Sequence, residues 1–238
     1  MLQSIKHLYG HDLVASDGEI GQVKDFYFDE NDWTIRYLVA DADSWLPGRQ
    51  VLISPHSLGR RDSAGKILHV NLTRKQIEKS PSIEPYKPVS RKYEEEFYQY
   101  YGWPSYWHGG GLWGMIDFPD SELRENPASL SKSAAANGTQ SGPVDAHLRA
   151  TRAAGSQIRG GTDWMRGDLC DYMIDPRSWA IRQVVIKTGR RLSCKEIGIP
   201  TDKVEQIVWD KSTMYVSLIK KATEPNSTLC PPAAGATD

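Results

Sequence analysis

Four residues that could do chemistry occur twice in the chain at the same spacing. Asp25, Asp29, Trp33 and Arg36 recur as Asp171, Asp175, Trp179 and Arg182. Carboxylates can serve as general acids or bases, but a duplicated catalytic site seldom keeps every residue in both copies. Their joint retention favours a folding role. We expect them to set a turn and a charge pair, with both tryptophans in the hydrophobic cores.

Metal-binding and catalytic motifs are weak in the rest of the sequence. His7 and His11 are four residues apart, but Gly10 argues against a helix that would place both on one face. The acidic stretch that begins at Asp41 lacks the glycine and the terminal glutamate of a calcium-binding loop. No nucleophile elbow, phosphate-binding loop or dinucleotide fingerprint occurs. We predict no catalytic residue, no cofactor and no metal site, and a protein that is not an enzyme.

The three cysteines, Cys170, Cys194 and Cys230, lie in the C-terminal third. An odd number fits reduced thiols in a cytoplasm better than a disulfide framework. Lys24 and Gly48 stand at the equivalent positions of the first copy, so Cys170 and Cys194 are outside the repeated pattern. We expect both thiols to be buried and unreactive.

The composition narrows the class of protein. The 238 residues include 8 Trp, 11 Tyr and 4 Phe, which is enough apolar material for a folded core. With 29 basic and 30 acidic residues, the net charge of −1 disfavours a generally basic nucleic-acid-binding protein. No apolar run approaches the ~20 residues of a membrane-spanning helix, and the N-terminus lacks the apolar stretch of a signal peptide. We expect a cytoplasmic protein.

Self-comparison finds one unit twice, at an offset of 146 residues. The register also pairs Gly21 with Gly167, Val39 with Val185, Ile53 with Ile199 and Val70 with Val216. Apolar residues alternate with polar ones in several short runs, which predicts strands, and the string from Ser16 to Glu19 predicts a type I′ hairpin turn. Several short strands within ~70 residues favour a small closed barrel in each copy.

A segment rich in tyrosine and tryptophan separates the two copies. Ser90 is placed to cap a helix over 91–101 whose aromatic residues would share one face, namely Tyr93, Phe97, Tyr100 and Tyr101. We expect a structural strap that packs on one or both barrels, with a recognition surface or a cofactor platform as the alternatives. The predicted domains are a first barrel over 1–80, the strap over 81–118, a flexible linker over 119–147, a second barrel over 148–223 and a disordered tail over 224–238.

Three strings of the first copy, Asp17–Phe26, Trp33–Val39 and Trp45–Pro55, resemble a PRC-barrel domain. That family includes the cytoplasmic barrel of the photosynthetic reaction centre H subunit and the C-terminal domain of a bacterial ribosome-maturation factor. The second copy is a degraded match, with Trp164 in the place of Gly18. The resemblance implies an all-β fold of two small antiparallel barrels joined by the aromatic, partly helical strap. It also implies docking onto a partner assembly, in a bacterial protein without catalytic residues.

The string Trp45, Leu46, Pro47, Gly48 and Arg49 is the sharpest candidate for a partner-binding surface. A tryptophan, a leucine and an arginine on a Pro-Gly turn are residue types that anchor interfaces. In the alternative interpretation, Trp45 folds back and covers one end of the barrel.

In the second copy the corresponding loop is basic and contains Lys187, Arg190, Arg191 and Lys195. These side chains could bind phosphate or RNA. The middle segment over 81–147 is acidic, with 5 basic and 9 acidic residues. Ordinary solvated side chains, or attraction to that segment, are favoured because no aromatic stacking pattern accompanies the cluster.

Together these patterns predict an interaction or scaffold module with unidentified protein partners, and a homodimer stays open. The likeness to the H subunit implies a peripheral partner of a membrane or electron-transfer complex. The alternative is a ribosome- or RNA-associated processing factor that uses the basic face of the second copy.

Overall fold

The computed structural model describes residues 1–59, 66–83, 89–108, 112–114, 148–152, 157–160, 166–190, 193–208 and 213–217. In these ranges the chain is mostly β-structure, as the sequence predicts. It divides into two compact units. The first unit is Met1–Arg152 with Ile174–Ile181, and the second unit is Ala153–Met173 with Arg182–Asp238. The predicted linker over 119–147 and tail over 224–238 lie outside the described residues.

The first unit is built on one mixed sheet. The sheet contains β2 (Asp12–Ala15), β3 (Gly18–Asp29), β4 (Thr34–Asp41), β5 (Val51–Ile53), β6 (Ile67–Val70) and β7 (Leu148–Ala150), whereas the two-residue strand β1 (Gln3–Ser4) is not part of it. The main path runs β5-β4-β3-β2-β6, and β7 pairs with the end of β3. The β2–β6 pair is parallel, whereas β3 is antiparallel to both β2 and β4.

The long strand β3 changes character along its length. Its first half alternates between buried and exposed residues, whereas every residue from Phe26 to Asp29 is buried. Strand β4 is buried from Thr34 to Ala40. A strand that is covered on both faces loses its alternation, so the core of the first unit lies around the end of β3 and along β4.

Two helices lie between β6 and β7 in the chain, and the second of them was predicted. Helix α1 (Arg74–Lys79) begins at Thr73, which forms a capping box with Gln76. Helix α2 (Arg91–Tyr101) begins at Ser90, whose hydroxyl accepts a hydrogen bond from the Tyr93 amide at 3.3 Å.

The predicted hairpin between β2 and β3 is present, but its predicted turn type is wrong. Ala15 pairs with Gly18, so the two connecting residues are Ser16 and Asp17 rather than Asp-Gly. A type I′ turn needs positive φ at both central residues, and among the described non-glycine residues only Trp33 and Trp179 have positive φ. The Asp17 carboxylate instead accepts a hydrogen bond from the Arg74 amide at 2.7 Å.

The second unit repeats the strand order of the first. Its strands are β8 (Gln157–Gly160), β9 (Arg166–Ile174), β10 (Ile181–Arg190), β11 (Ser193–Pro200), β12 (Val204–Val208) and β13 (Thr213–Val216). The path β11-β10-β9-β8-β13-β12 follows the order of β5-β4-β3-β2-β6.

The repeat extends to single residue pairs. Leu38 opposes Ile53 in the first sheet, and their counterparts Val184 and Ile199 oppose each other in the second. The hydrogen bond from the Asn71 amide to the Ser57 carbonyl, 2.7 Å, recurs from Ser217 to Lys203 at 2.7 Å. The sequence repeat is therefore also a structural repeat.

Candidate functional site

The repeated aspartates have the same local partners in both copies. The carboxylate of Asp25 accepts a hydrogen bond from the following amide at 2.8 Å, and that of Asp171 does so at 2.7 Å. Asp29 accepts from the amide two residues later at 2.9 Å, and Asp175 at 3.0 Å. The contacts of Asp29 and Asp175 form turns, whereas Asp25 and Asp171 lie within β3 and β9. They supply the folding role that the sequence predicts for the repeated aspartates.

The repeated arginines differ sharply between the copies. Arg36 is fully buried, with its guanidinium 4.0 Å from Asp29 and 3.1 Å from Asp32. It lies over the ring of Tyr106, 3.6 Å from the centroid. Its counterpart Arg182 is exposed. The predicted charge pair is thus present in the first copy, where it is closed in by the aromatic segment.

The aromatic segment packs onto the sheet of the first unit. Phe97, Tyr98, Tyr106 and Trp113 are all buried, and the Phe97 ring meets the Tyr37 ring of β4 edge-on at 5.2 Å. In the described part of this segment, these rings therefore pack against the first sheet. Tyr100 is its most exposed aromatic ring in that part, at 40%.

A carboxylate that the sequence did not single out lies at the centre of this packing. Glu94 is fully buried and accepts hydrogen bonds from the hydroxyls of Tyr106 at 2.8 Å and Tyr37 at 3.3 Å. Arg91 donates a third, 3.1 Å, to its other oxygen. Burial, with the charge of Glu94 as the next cause, raises the pKa of both phenols well above the usual value. Both phenols therefore stay protonated as donors to Glu94.

The 45–49 loop, Trp45 to Arg49, is fixed at both ends. The Trp45 indole donates to the Ile20 carbonyl at 2.6 Å, and Arg74 lies over its ring at 4.4 Å. The Arg49 guanidinium donates to the carbonyls of Glu78 and Ser80. Trp45 therefore folds back, as the alternative interpretation has it. Leu46 is half-buried, and Pro47 and Gly48 are exposed.

The basic loop of the second copy is a hairpin of β10 and β11. Lys187 opposes Glu196, Thr188 opposes Lys195 and Arg190 opposes Ser193. Because successive residues of a strand project to opposite faces, Lys187 and Lys195 point away from each other. The structure does not bring these two exposed lysines together. Arg191 lies outside the described residues.

Two turns of the first unit, one from each copy, pair with each other. Thr34 forms an antiparallel bridge with Ala180. The Ile35 amide donates to the Trp179 carbonyl at 2.9 Å, and the Ile181 amide donates to the Trp33 carbonyl at 2.6 Å. We call these residues, Trp33–Ile35 and Trp179–Ile181, the paired turns.

Both tryptophans of the paired turns have left-handed backbone, with φ of 51° at Trp33 and 59° at Trp179. Positive φ is unusual for so bulky a residue, and no sequence signal indicates it. Trp179 is buried, as predicted. Trp33 is only half-buried, stacked against Phe28 at 5.7 Å, so its predicted place in the core is wrong.

The structure also bears on the cysteines, on metal binding and on membrane-spanning helices. Cys170, on β9, is half-buried rather than buried. The Cys194 side chain lies outside the part of the chain that the structure describes. Over the described ranges, no group of three or more His, Cys, Asp or Glu side chains is placed to hold a metal ion. No helix in that part of the chain is long and apolar enough to cross a membrane.

Comparison with known proteins adds no relative. No protein-family model matches the chain, and no curated protein is significantly similar to it.

Proposed function

We propose that this protein is a non-enzymatic interaction module of the PRC-barrel type that binds a protein partner through the tip of the 45–49 loop. The observation that carries the proposal is the fixation of both loop ends. Trp45 and Arg49 are held by backbone carbonyls, so that Leu46, Pro47 and Gly48 form a presented tip. A preorganised tip loses little conformational entropy when a partner binds.

The burial of the repeated polar residues of the first copy supports binding rather than catalysis. Asp25 and Asp29 are buried and accept backbone amides, and Arg36 is closed in by Tyr106. Groups held in this way lack the access that a substrate needs. Function is then carried by the outer surface.

The repeated strand order supports the PRC-barrel interpretation. Two sheets with the same pairings are what a duplicated small barrel would contain. In this proposal each sheet closes into a barrel, over 1–80 and 148–223. The partner belongs to a membrane or electron-transfer complex, because the resemblance includes the reaction centre H subunit, and attachment to that complex is peripheral.

The alternative of an RNA-binding face has less support. It requires Lys187, Arg190, Arg191 and Lys195 to act on one phosphate backbone, whereas the register sends Lys187 and Lys195 to opposite faces of the hairpin.

The test is affinity capture of the full chain from its native host, from membrane and soluble fractions, with and without nuclease. The loop variant is Leu46→Asp, and the matched control is Asp43→Ala, which changes an exposed residue just before the loop. We expect captured proteins that remain bound after nuclease treatment. The Asp43→Ala chain should capture the same proteins, and the Leu46→Asp chain should not capture them. Equal capture by both variants contradicts the loop proposal. Loss of all partners on nuclease treatment, with steep salt sensitivity that weakens in an Arg190→Ala, Arg191→Ala chain, supports RNA binding instead.

A further inference from the structure

The paired turns have the geometry of a self-complementary contact. Thr34 and Ala180 are equivalent positions of the repeat, and they face each other directly. The Ile35 amide donates to the Trp179 carbonyl, and the equivalent Ile181 amide donates to the equivalent Trp33 carbonyl. Each copy of the repeat therefore makes the same contact to the other copy. Contacts in which residue i meets j and j meets i are characteristic of two-fold symmetric homodimers.

Burial shows that this contact is a packed interface. Thr34 and Ile35 are fully buried, and on the other side Trp179, Ala180 and Ile181 are each at most 3% exposed. The indole of Trp113 donates to the Ser178 carbonyl at 2.8 Å, which holds the second turn from its other side.

We propose that the edge Trp33–Ile35 is a docking edge for the same edge of a second molecule of this chain. Within one molecule, the repeated turn Trp179–Ile181 occupies that edge. A chain whose own turn is displaced then binds a second molecule of the same chain, edge to edge, with Thr34 facing Thr34 of that molecule. The inference does not depend on the 45–49 loop, so it stands or falls separately from the proposed function.

Two features explain why the chain's own turn occupies the edge. A segment of the same chain is present at an effective concentration of roughly millimolar when a suitable linker joins the two sites. The equivalent residues Asp32 and Ser178 also differ. The Asp32 side chain is 51% exposed, whereas Ser178 is 3% exposed. A second molecule would place an aspartate where the chain's own turn places a serine, and burial of a carboxylate is unfavourable.

The experiment displaces the internal turn in the full chain. In Ala180→Glu, a buried alanine that faces Thr34 becomes a charged residue. We expect its mass by light scattering to double relative to the wild-type chain. A second substitution, Thr34→Glu, blocks the docking edge itself and should return the Ala180→Glu chain to a monomer. Near-UV circular dichroism checks that each variant is folded.

Cysteine cross-linking tests the geometry of the new contact. Thr34 and Ala180 form a non-hydrogen-bonded antiparallel pair, in which side chains are closest and suited to a disulfide. In a chain with its three cysteines changed to serine, Thr34→Cys combined with Ala180→Glu should form an interchain disulfide. Thr34→Cys alone should not. Asp43→Cys, at an exposed position, gives the background rate.

The outcomes decide the proposal. A folded Ala180→Glu chain that stays monomeric, with Thr34→Cys cross-linking no faster than Asp43→Cys, overturns it. Should Ala180→Glu fail to fold, Ile181→Pro removes one of the two amide donors, and proline is tolerated as the first residue of a strand.

Discussion

Replacing Arg36 by methionine should destabilise the first unit strongly, whereas the same change at Arg182 should do little. Methionine keeps most of the apolar stem but removes the charge. In the Arg36→Met chain the carboxylate of Asp29, 3% exposed, loses the guanidinium 4.0 Å away. Removing one partner of a buried ion pair costs about 3–5 kcal/mol. The lost stacking on Tyr106, at 3.6 Å, acts in the same direction.

The duplicated sequence supplies the matched control. Arg182 is the repeat counterpart of Arg36 and is exposed, so Arg182→Met should change stability by no more than about 0.5 kcal/mol. The assay is urea unfolding followed by tryptophan fluorescence. With an m-value of about 2.5 kcal/mol/M, Arg36→Met should lower the midpoint by roughly 1.5 M.

Two results would refute this reasoning. One is an Arg36→Met midpoint within experimental error of the wild-type value. The other is an equal loss in Arg182→Met, which would mean that the burial of Arg36 is not what determines the effect.

Three further predictions follow from burial and backbone geometry. Gly21→Ala should lower the free energy of unfolding by about 3 kcal/mol or more, because φ is 136° and a Cβ would lie 1.8 Å from the Asp41 carbonyl oxygen. Gly10→Ala should lower it by about 1 kcal/mol, because φ is 72° but the space around the Cβ is open. Equal losses of stability in thermal unfolding would contradict this. Trp179→Ala should lower the free energy of unfolding by about 3–5 kcal/mol, and Trp33→Ala should lower it less, because of the two only Trp179 is buried. A larger loss in Trp33→Ala by urea unfolding would be inconsistent with the structure. Burial raises the pKa of several tyrosines, so the folded chain retains phenolic protons that the unfolded chain releases above about pH 10. The contribution of these phenols to the free energy of unfolding should therefore be fully present below that pH and be lost as the pH rises further. Phenolate absorbance should appear together with loss of the near-UV circular dichroism signal. Ionisation of the phenols in a chain that stays folded would contradict this prediction. The tyrosines concerned are Tyr37, Tyr93, Tyr98 and Tyr106, with Tyr101 at a pKa of about 12.

The features that could be predicted from sequence are those that local physics determines. Ser90 carries a side chain that caps a helix, so α2 begins where expected. The alternating apolar runs predicted strands, and the offset of 146 residues predicted that equivalent strands would pair alike. The acidic turn after β3 was also recognisable, because aspartate commonly accepts the amide two residues later.

The features that were missed depend on contacts far apart in the chain. Glu94 lies in a run of charged residues and looks solvent-exposed. Its burial is favourable because Tyr37 of β4 and Tyr106, both outside α2, donate hydrogen bonds to it together with the neighbouring Arg91. The left-handed conformation of Trp33 and Trp179 opposes their intrinsic preference. No local pattern reports it. The hairpin turn type was wrong because the register moved Gly18 into β3.

For the candidate site, the residue types could be read from the sequence, but the direction in which each side chain points could not. The string Trp45 to Arg49 was recognised, whereas its attachment to Ile20, Glu78 and Ser80 needs contacts from other segments. The basic string of the second copy looked continuous. The strand register separates Lys187 from Lys195, because the side-chain period of a strand is two.

Nuclear magnetic resonance on the unmodified chain can test the pairing of the two repeated turns. In a non-hydrogen-bonded antiparallel pair the two Cα atoms lie only about 4.5 Å apart. We predict a strong nuclear Overhauser effect between the Hα protons of Thr34 and Ala180, with slow exchange of the Ile35 and Ile181 amide protons. Absence of that cross-peak, together with rapid exchange of both amides in the folded protein, would contradict it.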